Sequence, residues 1–175
     1  SVSTGDYNWS GLDKFSCNFL LKNNSGKNIL IGHTNSKGGF DAIRYQVLND
    51  GSIENEKTFG IVGPEGNENG NKVEATKDNG YIFLNNSNDQ NISEITKIDS
   101  IGNIKWTTVL STSPSSYSIS LNDLIVEPNG EVFLVGYSGG DTSGILMYKL
   151  SSEGNILFHK NYGVGFLEQF NAFER

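Results

Sequence analysis

GNILFHKNYG, residues 154–163, has two counterparts in the same chain: GSIENEKTFG at 51–60 and GNIKWTTVLS at 102–111. The opening glycines are 51 and 52 residues apart. A second motif keeps nearly the same period. GKNILIG begins at Gly26, GYIFLNN at Gly80 and GEVFLVG at Gly130, each after a turn-like triplet (NNS, KDN and EPN). Two independent motifs on one period mark an internal repeat of about 51 residues, and a period of that size sets the architecture.

Each repeat reads as four short strands. Strand one is CNFLLK, KVEATK or NDLIVE. Strand two is the glycine-led segment, with Leu30, Leu84 and Leu134 expected in register. Strand three carries Tyr45 and Val47, then Thr96 and Ile98, then Tyr148 and Leu150. Residues two apart share one face of a strand. Strand four opens at Ile53, Ile104 and Ile156, and two residues on come Asn55, Trp106 and Phe158. NDG, SIG and SEG precede strand four, and glycine there supplies the positive φ of a tight turn. The fold class is therefore all-β: three four-stranded antiparallel repeats matching the blades of a β-propeller, an incomplete ring within one chain. The repeats span about 12–60, 70–111 and 119–163, and 164–175 reads as the start of a further one.

The same residues resemble a known repeat. KIDSIGNIKW (97–106) and YKLSSEGNILFHKNYG (148–163) are similar to the blades of a bacterial β-propeller repeat family of exported and surface proteins, of the form DGGYI–G…IKLD–GN–W–K–YGG. KDNGYIFL (77–84) matches its opening. The resemblance implies blades and an exported or cell-surface location. The spacing of Asp99, Gly102 and Trp106 also resembles, more distantly, the tryptophan-docked blades of quinoprotein-type propellers. Repeats one and three lack that Trp and the fuller cofactor pattern is absent, so no quinone cofactor is inferred.

Composition excludes some partners. The net charge is −7, and the only arginines are Arg44 and Arg175. A phosphate-tracking surface needs clustered cations, so nucleic acid and anionic membranes are not expected partners. Membrane insertion is not expected either, because no long apolar run occurs. No signal peptide is visible in this chain. Cys17 stands alone, so no intrachain disulfide forms.

Three motifs for catalysis are missing: HExxH, the P-loop and GxGxxG do not occur. His33 and His159 lie in different repeats without metal spacing. A sialidase-like site would need several arginines, and Arg44 is the only internal one. The chain is accordingly read as not an enzyme. A calcium site is considered at Glu65, Asn67 and Asn69, where EGNENG echoes the start of an oxygen-ligand loop. Thr76 stands where the bidentate Glu belongs, and the segment also reads as an Asn/Gly-rich connection. Aromatics fall in the loops after strand four: Tyr7, Trp9, Tyr117 and Phe166, with Asp6, Asn8 and Ser116 as polar companions. Such a set stacks on sugars or anchors protein partners, or else fills gaps between blades. Asp41 and Asp141, before strand three, read as turn caps.

The sequence thus points to a non-catalytic binding or scaffold module of an exported bacterial protein, with carbohydrate or protein as ligand. A piece of a larger propeller enzyme and a structural array in an adhesin or filament stay open. Missing blades of a longer chain, or a homo-oligomer, would complete the ring.

Overall fold

The computed structural model describes residues 15–22, 26–34, 41–59, 68–87, 91–111, 118–139 and 143–163. It is all-β, and among the described residues there is no helix. The first sheet comprises β1 (Phe15–Lys22), β2 (Asn28–Thr34), β3 (Asp41–Val47) and β4 (Ile53–Phe59). The second comprises β5 (Glu68–Ala75), β6 (Tyr81–Ser87), β7 (Ile92–Ile98) and β8 (Ile104–Ser111). The third comprises β9 (Ile119–Val126), β10 (Val132–Ser138), β11 (Gly144–Leu150) and β12 (Ile156–Gly163). Every sheet is an antiparallel meander in chain order. The described sheets do not close into a ring.

One turn design builds the hairpins. Five residues join β3 to β4, β7 to β8 and β11 to β12, and the fourth is Gly51, Gly102 or Gly154, all at positive φ. The first amide of each connection donates to the carbonyl of the fifth residue, as from Asp99 to Asn103 at 2.9 Å. The turns from β5 to β6 and from β9 to β10 repeat this pattern.

The expected register of strand two needs a correction. Leu30 lies opposite Tyr45 and Leu134 opposite Tyr148, but Leu84 lies opposite Ile95. The equivalent position in the second sheet is Phe83, opposite Thr96. The cause is local. Gly26 and Gly130 fill the positive-φ slot of their turns, at 76° and 85°, whereas Asn79 fills it in the second sheet, at 63°. Asn tolerates this conformation better than most side chains. Gly80 is then already past the slot, and the strand begins at Tyr81.

The sheets stack through opposite faces. Each has a leading face toward the next sheet and a trailing face toward the one before. Ile29 and Ile31 of the first sheet pack with Val73, Tyr81, Phe83 and Ile98 of the second. The other face of the second sheet, with Ile82, Leu84 and Ile95, packs on Leu124, Val132, Leu134, Tyr148 and Leu150 of the third. Because the middle sheet is covered on both sides, Tyr81 to Asn86 are buried without alternation. Among the described residues no further sheet packs on the leading face of the third; β11 alternates strictly, and β12, at the sheet edge, is exposed throughout. β5 lies beside β9, and β1 and β2 lie beside β5, so the first strands run close together.

Candidate functional site

The middle sheet departs from its neighbours where β6 ends and β7 begins. Asn85 faces Glu94 across the ladder, and Asn86 faces Ser93. In the third sheet the equivalent positions are Gly136 with Leu146, and Tyr137 with Ile145. Polar groups have therefore replaced small or apolar ones in a buried layer. Strand alternation divides them between the two faces.

Asn86 and Ser93 face the third sheet. The Asn86 amide donates to the Leu121 carbonyl at 2.8 Å, and its oxygen accepts from the Leu121 amide at 3.2 Å. The Ser93 hydroxyl donates to the same oxygen at 2.5 Å. One side chain thus acts as a short stretch of strand and clips the second sheet to β9.

Asn85 and Glu94 face the first sheet and are 1% and 3% exposed. Among the described residues neither the oxygen nor the nitrogen of the Asn85 amide has a hydrogen-bond partner. Native structures rarely leave buried polar atoms so. Glu94 accepts from the Thr96 hydroxyl at 2.8 Å, and Thr96 also lies 3.1 Å from the Thr107 hydroxyl. Burial pushes the Glu94 carboxyl above its ordinary range, against the opposing pull of Thr96. Chemically the pair offers two amide donors, an amide acceptor and a carboxyl. It can hydrogen-bond hydroxyls, amides or water.

Arg44 marks a second buried polar point between the first two sheets. It is fully buried, lies 5.7 Å from the Tyr81 ring centre and donates to the Ser100 carbonyl at 3.2 Å. Burial lowers its pKa, while Tyr81 and Asp99 support the charge. These contacts make it a plug between sheets.

Most residues singled out in the sequence lie outside the described residues: Asp6, Tyr7, Asn8, Trp9, Glu65, Asn67, Ser116, Tyr117, Asp141 and Phe166. The backbones of Asn69, Asp41 and His33 are described. Asn69 sits in β5 opposite Asn86, and Asp41 pairs with Thr34. Thr76 is buried and bonds Asp78 within the turn. His159 stacks on Tyr148, with ring centres 5.6 Å apart. Among the described residues no group of three or more His, Cys, Asp or Glu could hold a metal ion. The sequence reading missed Asn85 and Glu94. Their signal was a polar pair where the other repeats carry Gly and an apolar residue.

No protein-family model matches the chain, and no curated protein matches it either.

Proposed function

We propose that the three sheets are consecutive blades of a β-propeller. On this reading the chain is a non-catalytic binding or scaffold module of an exported bacterial protein. It presents loops at one end of the stack to a carbohydrate or a protein. The blade reading is supported by the chain-ordered meanders, the close approach of their first strands and the repeated leading-to-trailing contact. In a propeller, loops at one end of the sheets form a common face, and a rigid stack holds them in place.

The observation that carries the binding reading is the buried pair Asn85 and Glu94. It sits at the end where β6 leads to β7, which is also the end where β8 leads toward β9. An unsatisfied amide beside a carboxyl below those loops suits a ligand rich in hydroxyl or amide groups. Trp9 and Tyr117 would add stacking surfaces at the same face.

Screening the intact protein on a glycan array, with Trp9→Ala and Asn85→Ala as controls, tests this reading. Expected is a glycan signal that both substitutions weaken. Absence of any glycan or protein ligand would leave a purely structural array instead.

A further inference from the structure

The turn before strand four is a receiving site in two of the three sheets. In the second sheet it takes residues from the first. A Cβ on Gly102 would stand 2.8 Å from Lys57 Cγ, and the Ser100 carbonyl accepts from Arg44. In the third sheet the turn takes residues from the second. A Cβ on Gly154 would stand 2.7 Å from the Trp106 ring. Trp106 Nε1 donates to the Ser152 carbonyl at 2.9 Å, and the Thr108 hydroxyl to the Gly154 carbonyl at 2.6 Å.

The corresponding turn of the first sheet receives no side chain from the described residues. Among the described residues, no atom lies within 4 Å of where a Gly51 Cβ would be. Beside it Leu48 and Ile53 are 38% and 57% exposed. The third sheet has the complementary surplus. Phe158 lies opposite Lys149 as Trp106 lies opposite Lys97, and Lys160 lies opposite Met147 as Thr108 lies opposite Ile95. Phe158 is held edge-on against Phe133 at 6.2 Å and keeps an exposed flank.

We propose that a second copy of this chain docks head to tail, with Phe158 of one copy seated on the Gly51 turn of the next. This deepens the blade reading and rests on it. The contact would continue an interface the molecule already makes twice. Charge agrees: Asp50 lies in the receiving turn, and Lys160 stands two residues beyond Phe158 on the delivering face. Two copies would bring together six sheets, within the four to eight that close a propeller. The same patch does not meet itself, so the interface is heterologous and closes only through the ring.

Sedimentation of the wild-type chain at concentrations up to about 0.1 mM tests this directly. Expected is a dimer whose Kd rises about tenfold or more in Phe158→Glu, with an unchanged circular dichroism spectrum. A wild-type monomer throughout that range overturns the docking. It leaves the order of sheets within one copy untouched. A second measurement fixes the geometry. In a Cys17→Ser background, one copy carries Phe158→Cys and another Asn49→Cys, and a short bis-maleimide is added. The mixture should cross-link and neither copy alone should. Cross-linking of the Phe158→Cys copies to each other would overturn the head-to-tail arrangement.

Discussion

The indole N–H of Trp106 donates to the Ser152 carbonyl at 2.9 Å while its ring covers Gly154. A residue of β8 is thereby locked onto the hairpin of the next sheet, 46 positions along the chain. Trp106→Ala removes the ring and the hydrogen bond together and should cost about 3 kcal/mol. Trp106→Phe keeps most of the packing and should cost about 1 kcal/mol. Urea unfolding of both variants checks this. Equal losses would mean that the ring contributes nothing beyond its hydrogen bond.

Asn79 occupies the left-handed slot that Gly26 and Gly130 fill in the other sheets. Its side-chain oxygen is buried with no hydrogen-bond partner among the described residues, so the amide gives little in return. Asn79→Gly should therefore be neutral or slightly stabilising, and Asn79→Ala should lose about 1 kcal/mol. Thermal melts of the pair would show the order. A more stable alanine variant would mean that the turn does not need positive φ.

The same position explains how far the sequence could be read. The period, the three Ile residues that open strand four and the glycines before them were legible, because a positive φ leaves a compositional mark. The register of strand two was legible in two repeats and slipped in the third, because Asn79 rather than Gly80 takes the slot. Alternation told which residues share a face but not which face meets which sheet. That depends on packing between residues about 50 positions apart. Asn85 and Glu94 were passed over because polar residues in a strand look like a solvent face. They are buried only because sheets cover β6 and β7 from both sides.

Lys72 reaches across from β5 to Asp123 of β9 at 2.9 Å. The carboxylate is nearly enclosed and also accepts from the Leu124 amide at 2.9 Å. Lys72→Met removes the cation and leaves a charge in a poorly solvated place, with an expected loss of about 3 kcal/mol. Adding Asp123→Asn should recover part of it. A double-mutant cycle by denaturant unfolding measures the coupling. Strictly additive losses would mean that the two charges do not act as a pair.

Glu94 makes stability depend on pH in a direction opposite to a surface ion pair. Its folded pKa lies above the ordinary 4.5 because burial disfavours the charged form. The folded state therefore keeps its proton to higher pH than the unfolded chain does. Below the ordinary value both states are protonated and this contribution to stability is fully present. It is lost as pH rises through the folded pKa. Glu94→Gln keeps the shape and cannot ionise. Its melting temperature should exceed that of the wild type at pH 7, and the gap should close near pH 4. A ligand or cation that binds the carboxylate would reverse the sign, since the charged form would then be favoured. Melting curves at the two pH values, with and without a glycan found on the array, separate these cases. A Glu94→Gln variant less stable at pH 7 in the absence of any ligand would show that the carboxylate already has a partner that stabilises its charge.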